Sequence, residues 1–307
     1  MKGIELAKAY YQEYGKPMLE KEFPQYINRM AIGLVGQGSE CYGFDDEISK
    51  DHDFEAGFCI WLTEEDERLF GFKLFRAYSK LPQEFLGVKL KKSGALGSDR
   101  KGVRKIKDFY SFYTGTGDVP ISNEHWLSIP DKYLAEATNG EVFVDNLGEF
   151  SRIREKIKTG MPEDVRLKKL ASAVFNMAQS GQYNYSRCLS HQEKAAAAIA
   201  LSEFATNATQ AVFLLNRKHM PYYKWAFRSM KELGYLSEIS NMLELLLSSP
   251  YDSDVNTELI EKICSIIIKG IKEEKLSDTE DDYLEPYAYC INNKIKDGNL
   301  RNSPVML

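Results

Sequence analysis

A short apolar run that ends in a glycine-rich turn constrains the fold of this chain more than any other feature. Residues 30–35 read Met-Ala-Ile-Gly-Leu-Val, and Gly36-Gln37-Gly38-Ser39 follows at once. An apolar run of this length with turn residues after it predicts a buried strand. A small-residue turn after a strand can bring backbone N–H groups close to a phosphate. The sequence therefore predicts a strand over 31–36 with an anion-binding turn at its end.

An acidic pair begins the next apolar segment. Asp51 and Asp53 flank His52, and the segment then continues to Leu62. Side chains at positions i and i+2 of a strand point to the same face, so the two carboxylates point together and His52 points away. We therefore expect His52 to be a packed core residue. Two carboxylates on one face suit Mg²⁺, which binds through a few carboxylates and substrate phosphates.

The Gly-Ser turn, the 11 residues after it and the Asp-x-Asp pair stand in a diagnostic order. This order resembles the signature of the DNA polymerase beta superfamily of nucleotidyltransferases. The resemblance implies Mg²⁺, or Mn²⁺, and transfer of a nucleoside monophosphate from a nucleoside triphosphate, expected to be ATP, to a hydroxyl group. It implies that Asp51 and Asp53 hold the metal ions and that Gly38 and Ser39 hold the phosphates.

The third catalytic and metal-holding carboxylate is expected at Asp145. This aspartate ends the apolar run Val142-Phe143-Val144, which is predicted to be a strand able to lie beside the strand of Asp51 and Asp53. The superfamily takes its third carboxylate from a separate strand, and that favours Asp145. Glu55 is the alternative, since it shares a face with Asp51 and Asp53. An aspartate before Asn-Leu-Gly is also a good turn former.

The character of the chain changes near residue 150. With 307 residues, 43% of them hydrophobic and 28% charged, the chain is long enough for two domains. We expect an α+β protein: a polymerase-beta-like nucleotidyltransferase domain with a mixed sheet over 1–155, then an all-helical bundle over 156–307.

Within these domains the periodicity predicts particular elements. Helices are expected over 3–30 and 63–80, with Thr63 as an N-cap, and strands over 53–62 and 141–145. Residues 92–102 are predicted to be a loop. Pro162 is expected at the first position of the first helix of the bundle.

Polar and aromatic side chains interrupt the apolar helices of the second domain. Arginine and lysine neutralise phosphate charge, and tyrosine can stack on a base, so these residues are expected to contact nucleotide. Domain packing explains them equally well. The residues are Tyr183, Asn184, Arg187, Asn216, Tyr223 and Lys224. Four segments are similar to a bacterial family of two-domain nucleotidyltransferase-like proteins: GSE…GFDDEISKDHD, GEVFVDNLGEFSRIREKI, GQYNYSR and LLNRKHMPYYKW. The core is also similar to that of aminoglycoside and lincosamide nucleotidyltransferases.

Charge and composition limit the partners. A net charge of −5 and a pI of about 5.6 argue against a protein that mainly coats nucleic acid. A small-molecule acceptor is therefore favoured, although the basic stretch from Lys89 to Lys107 favours RNA. The apolar runs are too short to span a bilayer, and five scattered cysteines without a CxxC pair predict neither a zinc site nor disulfides, so we expect a cytoplasmic protein. A toxin-like enzyme that modifies tRNA or protein and a non-catalytic nucleotide sensor remain the alternatives.

Overall fold

The apolar run forms the strand β1 (Ala31–Leu34) in a computed structural model that describes residues 1–48, 55–89 and 100–307. Three further strands join it in one mixed sheet: β2 (Cys59–Leu62), β5 (Gly102–Lys105) and β6 (Glu141–Asp145). The order is β5-β2-β1-β6. β1 is antiparallel to both β2 and β6, whereas β2 and β5 are parallel. A separate hairpin pairs β3 (Glu84–Phe85) with β4 (Val88–Lys89).

Helices surround this sheet in the first 160 residues. The N-terminal helix predicted over 3–30 is present but ends earlier, at Glu22: it comprises α1 (Gly3–Tyr10), a π-helical turn and α2 (Lys16–Glu22). The helix after β2 comprises α3 (Glu64–Asp66), a second π-helical turn and α4 (Phe72–Tyr78). Thr63 is its N-cap, as predicted, because its hydroxyl accepts a hydrogen bond from the Asp66 N–H. The remaining helices around the sheet are α5 (Ile106–Thr114), α7 (Asp131–Thr138) and α8 (Glu149–Thr159), whereas α6 (Asn123–Ser128) belongs to the second compact unit.

Alternation along β2 places its side chains on two faces of the sheet. Ile60 and Leu62 belong to a core that also contains Tyr10 of α1 and Leu74 of α4. Trp61 faces the other way, where its ring stacks on Phe150 of α8 at a centroid distance of 4.1 Å. The sheet is therefore buried on both faces in this region, which explains why β2 reads as a continuous apolar run.

From Met161 onward the described chain is helical. The helices are α9 (Glu163–Met177), a π-helix (Ala178–Tyr185), α10 (Ser186–Ser190), α11 (Lys194–Leu215), α12 (Tyr223–Lys231), α13 (Ile239–Ser248), α14 (Asp254–Glu273), α15 (Leu284–Asn293) and α16 (Gly298–Asn302). Pro162 is the N-cap of α9, one position before the one predicted. The buried apolar residues of α11, among them Phe204 and Ala208, make it the core helix of this region.

The chain divides into two compact units. Unit 1 contains residues 1–120 and 132–160, and unit 2 contains residues 121–131 and 161–307. The short segment 121–131 is fixed in unit 2 by a buried ion pair, in which Lys169 Nζ lies 2.7 Å from Asp131 Oδ1. The division after residue 160 compares with the boundary at 155/156 expected from the sequence. The protein is thus α+β, with a small mixed sheet and a helical C-terminal part.

Candidate functional site

The register of the sheet gathers several functional groups of unit 1 at one edge. β1 ends at Leu34, just before the Gly-Ser turn, and its Gly33 pairs with Cys59 at the start of β2. Cys59 in turn pairs with Gly102, at the start of β5. Three segments therefore lie at the same end of the strands: the turn, residues 55–58 before β2 and residues 100–101 before β5. We call this end of the sheet the edge that carries the turn.

The side chain of Asn139 fixes the start of the turn. Its Oδ1 accepts a hydrogen bond from the Gly36 N–H at 2.8 Å, and its Nδ2 donates to the Gly36 carbonyl at 2.7 Å. Gly140 adds a backbone hydrogen bond to the Cys41 carbonyl at 2.8 Å. This pairing holds the turn in one conformation, so its backbone groups are preorganised.

Arg100 packs directly on the second glycine. Its Nη2 donates to the Gln37 carbonyl and to Glu40 Oε1, both at 2.6 Å. A Cβ built on Gly38 would lie 1.8 Å from Arg100 Nη2, and Gly38 has a φ of +113°. Glycine is therefore required here so that a guanidinium can approach the backbone. The sequence predicted close approach of a phosphate, and the structure places a protein cation against this glycine.

A buried lysine lies beside the same turn. Lys101 Nζ donates to the Glu55 carbonyl at 2.5 Å and lies 3.9 Å from Glu40 Oε1. Burial lowers the pKa of Lys101, while the carboxylates of Glu40 and Glu55 act in the opposite direction. Glu40 and Glu55 are both buried. Two carboxylates and two cations are thus concentrated at this edge.

A pocket of about 540 Å³ opens beside the turn. Arg100 and Arg104 supply positive charge, and Phe109, Phe112 and Tyr113 supply an aromatic wall. The full lining is Leu34, Val35, Gln37, Arg100, Val103, Arg104, Asp108, Phe109, Phe112 and Tyr113. Guanidinium groups are suited to phosphate oxygens, and aromatic rings are suited to a planar base. The lining therefore offers two guanidinium groups beside one carboxylate, Asp108, and a flat aromatic surface.

The described residues include the predicted phosphate-binding serine but not Asp51 and Asp53, the predicted metal-binding pair. Ser39 begins a 3₁₀ turn, and among the described residues its hydroxyl has no hydrogen-bond partner. Asp51, His52 and Asp53 lie outside the described residues. Within the described part of the chain, no three His, Cys, Asp or Glu side chains are grouped as metal ligands. The metal site at Asp51 and Asp53 remains a prediction.

Asp145 lies at the opposite end of the sheet from the turn. It pairs with Ala31, whereas Glu141 pairs with Leu34, and the three steps from Ala31 to Leu34 span about 10 Å of strand. Its Oδ1 accepts from the Gly148 N–H at 2.9 Å and its Oδ2 from the Ser151 N–H at 2.7 Å. Asp145 thus acts as the turn former and cap at the start of α8.

The strand that carries Asp145 also has a different neighbour from the one expected. β6 pairs with β1, and β1 separates it from β2. This corrects the expected arrangement in which β6 lies beside the strand that follows Asp53. Of the two carboxylates considered for the third position, only Glu55 lies at the edge that carries the Gly-Ser turn.

The six polar residues predicted in the helical part fall into three groups. The guanidinium of Arg187 lies 5.1 Å from the centre of the Tyr183 ring, a cation–π contact next to Asn184 in the π-helix. Asn216 donates to the carbonyls of Val212 and Tyr235, so its amide ties α11 to the segment before α13. Tyr223 and Lys224 begin α12, where Tyr223 is 65% exposed.

No described hydrogen bond, ion pair or ring contact joins the Tyr183–Arg187 group to Asn216 or to Tyr223 and Lys224. Asn184 instead lines a separate groove of unit 2. The six residues therefore do not form one described cluster.

Sequence reasoning missed most of the pocket. The aromatic wall comes from α5, which contains Phe109, Phe112 and Tyr113 and has the sequence pattern of an ordinary amphipathic helix. Arg100 and Arg104 were assigned only to a basic stretch. The structure identifies them by position: they lie on either side of Gly102, where β5 begins parallel to β2.

The fold and the pocket define an α+β protein with a cationic, aromatic-walled site at one edge of a small mixed sheet. Residues 126–226 match the family described as Domain of unknown function (DUF4037). The matched segment begins in α6 and ends in α12, so it includes β6 and the π-helix but not the Gly-Ser turn. No curated protein matches the chain.

One helix among the described residues is long and apolar enough to cross a membrane. It is α11, and 61% of its apolar window is buried inside the protein. Its length and hydropathy are therefore accounted for by its place in the core of unit 2.

Proposed function

We propose that the protein is a Mg²⁺-dependent nucleotidyltransferase whose nucleoside triphosphate, expected to be ATP, binds at the Gly-Ser turn of unit 1. The observation that carries the proposal is the pocket beside this turn, in which two arginines and three aromatic rings meet a preorganised backbone turn. The Ser39 hydroxyl and the Gly38 backbone supply further groups for phosphate oxygens.

The proposed metal requires carboxylate oxygens near the turn. Asp51 and Asp53 precede β2, and Glu55 follows them at the edge shared with the turn. Carboxylate oxygens are the ligands that Mg²⁺ prefers, and the bound ion would stabilise the attacking and leaving oxygens. We assign Asp51 and Asp53 to the metal and Glu55, in place of Asp145, to the third carboxylate.

The proposed reaction is an in-line substitution at the α-phosphorus. The hydroxyl oxygen of the acceptor forms a bond to the α-phosphorus, and its proton passes to a carboxylate, for which Glu55 is the assigned group. The bond from the α-phosphorus to the bridging oxygen breaks, and pyrophosphate leaves. Arg104 and the Gly-Ser turn neutralise the charge that develops on the leaving group.

We propose that the acceptor is a small molecule and that the protein acts in the cytoplasm. The acidic pI disfavours a nucleic-acid acceptor. All five cysteines are free, which suits a reducing compartment.

The test is label transfer from α-³²P-labelled ATP, GTP, CTP and UTP with Mg²⁺, using separate pools of small molecules, tRNA and protein as acceptors. We expect transfer to a small molecule and its loss by about 10³-fold in Asp51→Asn and Asp53→Asn, because each removes charge from the metal site. Asp145→Asn is the matched control, since it removes a carboxylate at the other end of the sheet. Full turnover in Asp51→Asn contradicts the proposal. Nucleotide binding without transfer to any pool favours a sensor instead.

A further inference from the structure

A groove of unit 2 has a lining unlike that of the unit 1 pocket. It has a volume of about 600 Å³ and lies between α9 with the π-helix on one side and α11 on the other. The two sides meet at Gly181, where an added Cβ would come 2.3 Å from the Phe204 ring. Because this contact brings the π-helix close to α11, Gly181 and Phe204 fix the width of the groove.

Neutral hydrogen-bonding groups dominate this groove, which we call the amide groove. Four carboxamides line it, together with the hydroxyls of Ser180, Ser202 and Thr206. The carboxamides are Asn176, Gln179, Asn184 and Asn207. Each carboxamide both donates and accepts, which is the capacity needed to bind several hydroxyl groups of one ligand. The π-helix supplies two of the four, and such wide turns are frequent at functional sites.

Part of this hydrogen-bonding capacity is used within the described chain. Gln179 Nε2 donates to Glu285 Oε2, and Ser180, Thr206 and Asn207 each donate to a backbone carbonyl one turn earlier. The rest is open to a ligand. The Asn184 amide and the Glu203 carboxylate make no hydrogen bond or ion pair with a described residue. Asn176 Nδ2 reaches Asn207 Oδ1 only at 3.5 Å, a long contact that a ligand oxygen can replace. Phe175 contributes an aromatic ring to the same wall, a suitable surface for the apolar face of a sugar ring.

The charge of the lining restricts the ligand. Among the described residues that line the amide groove, Glu203 is the single carboxylate and none is lysine or arginine. An anion entering the groove would therefore meet a negative side chain and no cation. A cationic amino group would gain a charge-assisted hydrogen bond.

We propose that the amide groove binds a small polyhydroxylated ligand that carries an amino group, with its hydroxyls on the carboxamides and its ammonium on Glu203. This site is independent of nucleotidyl transfer, because neither a nucleotide nor a metal ion takes part in it.

The test uses three trisaccharides that differ in charge, with the whole protein and neither nucleotide nor metal present. The probes are tri-glucosamine, maltotriose and trigalacturonate, which are cationic, neutral and anionic, and binding is measured by calorimetry and by NMR. We expect tri-glucosamine to bind about fivefold or more tightly than maltotriose, and trigalacturonate not to bind. Equal affinities, binding of trigalacturonate or binding of none of the three would overturn the proposal.

Two variants separate the roles of the lining groups. Glu203→Gln is expected to remove the preference for tri-glucosamine while maltotriose still binds. Asn184→Ala is expected to weaken both sugars by about fivefold, because it removes hydrogen bonds to ligand hydroxyls. Both side chains are exposed and without described partners, so the fold is expected to survive each change. Glu258→Gln, an exposed glutamate on α14, is the control. A preference for tri-glucosamine that persists in Glu203→Gln contradicts the assignment.

Discussion

The two units hold cavities of similar size and opposite chemistry. The unit 1 pocket has a volume of about 540 Å³ and is lined by Arg100, Arg104 and three aromatic rings. The amide groove of unit 2, at about 600 Å³, is lined by four carboxamides and one carboxylate. Size alone therefore does not distinguish their ligands. The charged and polar groups do, because a charge in the lining attracts a ligand group of opposite sign and repels one of the same sign.

After the loss expected for Asp51→Asn and Asp53→Asn, the largest expected effect separates two other carboxylates of unit 1. Glu55→Gln is expected to lower transfer by about 100-fold, since Glu55 lies at the edge that carries the turn. Asp145→Asn is expected to leave transfer within about threefold and to destabilise unit 1 by about 1 kcal/mol, because the cap of α8 weakens. Label transfer and urea unfolding of both variants measure this. The reverse pattern of activities would return the third carboxylate to Asp145.

A substitution in the turn tests whether Gly38 is needed to accommodate Arg100. Gly38→Ala is expected to destabilise unit 1 by about 2 kcal/mol, because the new methyl strains a positive φ and displaces the guanidinium. Gly102→Ala is the matched control: Gly102 has a φ of +111° with no atom within 4 Å of the added Cβ, so its cost is that of backbone strain alone, about 1 kcal/mol. Urea unfolding compares the two. Equal losses would show that strain alone, without the Arg100 contact, explains Gly38.

A charge change in unit 1 tests the difference between the two cavities directly. Arg104→Gln is expected to weaken MgATP binding by about tenfold and to leave trisaccharide binding to unit 2 unchanged. Calorimetry with each ligand provides the measurement. If MgATP binding is unaffected at both low and high salt, Arg104 does not contact phosphate.

Unit 2 also contains cationic side chains that form ion pairs with carboxylates of the same unit. Buried Arg166 lies 2.7 Å from both Glu163 and Glu274. The hydrogen bond from Arg166 lowers the pKa of Glu163 to about 2, and Arg217 acts in the same direction. A carboxyl whose folded pKa is depressed adds stability above its usual pKa of about 4.5, and this contribution is lost as the pH falls toward 2.

The smallest predicted effect follows from this ion pair. Glu163→Gln is expected to cost about 1 kcal/mol at pH 6, a value reduced for solvent screening because the side chain is half exposed. The difference between wild type and variant should shrink between pH 4.5 and pH 2. Urea midpoints at pH 6, 4 and 2.5 measure it. A difference that is constant with pH would mean that packing, rather than charge, supplies the stabilisation.

Local patterns predicted the elements whose signals are local. β1, β6 and the helix capped by Thr63 were all recognised, because apolar runs and caps are properties of neighbouring residues. β5 was missed, since Gly-Val-Arg-Lys follows a charged, glycine-rich stretch and becomes a strand only by pairing with β2. The predicted second strand was too long, because residues 55–58 are not part of β2; residues 53–54 lie outside the described residues.

The site was harder to predict than the elements. The Gly-Ser turn was identified from its composition. The position of Asp145 at the other end of the sheet could not be identified in this way, because it depends on strand order and register, which are decided by tertiary pairing. The aromatic wall comes from α5, far from the turn in sequence. Neither the wall nor the Arg100 contact carries a local signature. The predicted Asp51–Asp53 metal site stays a prediction, because both aspartates lie outside the described residues.

Locating a bound nucleotide by NMR tests most directly whether the Gly-Ser turn binds the nucleoside triphosphate. Labelled protein is titrated with Mg²⁺ and α,β-methylene-ATP, which is not cleaved between its α- and β-phosphorus atoms. If the nucleotide binds at the turn, we expect shift changes at the amides of Gly36, Gly38 and Ser39 and at Phe112, with none at Gly181 or Asn207. Shift changes confined to the amide groove, or none at the Gly-Ser turn at saturating nucleotide, would contradict binding at the turn.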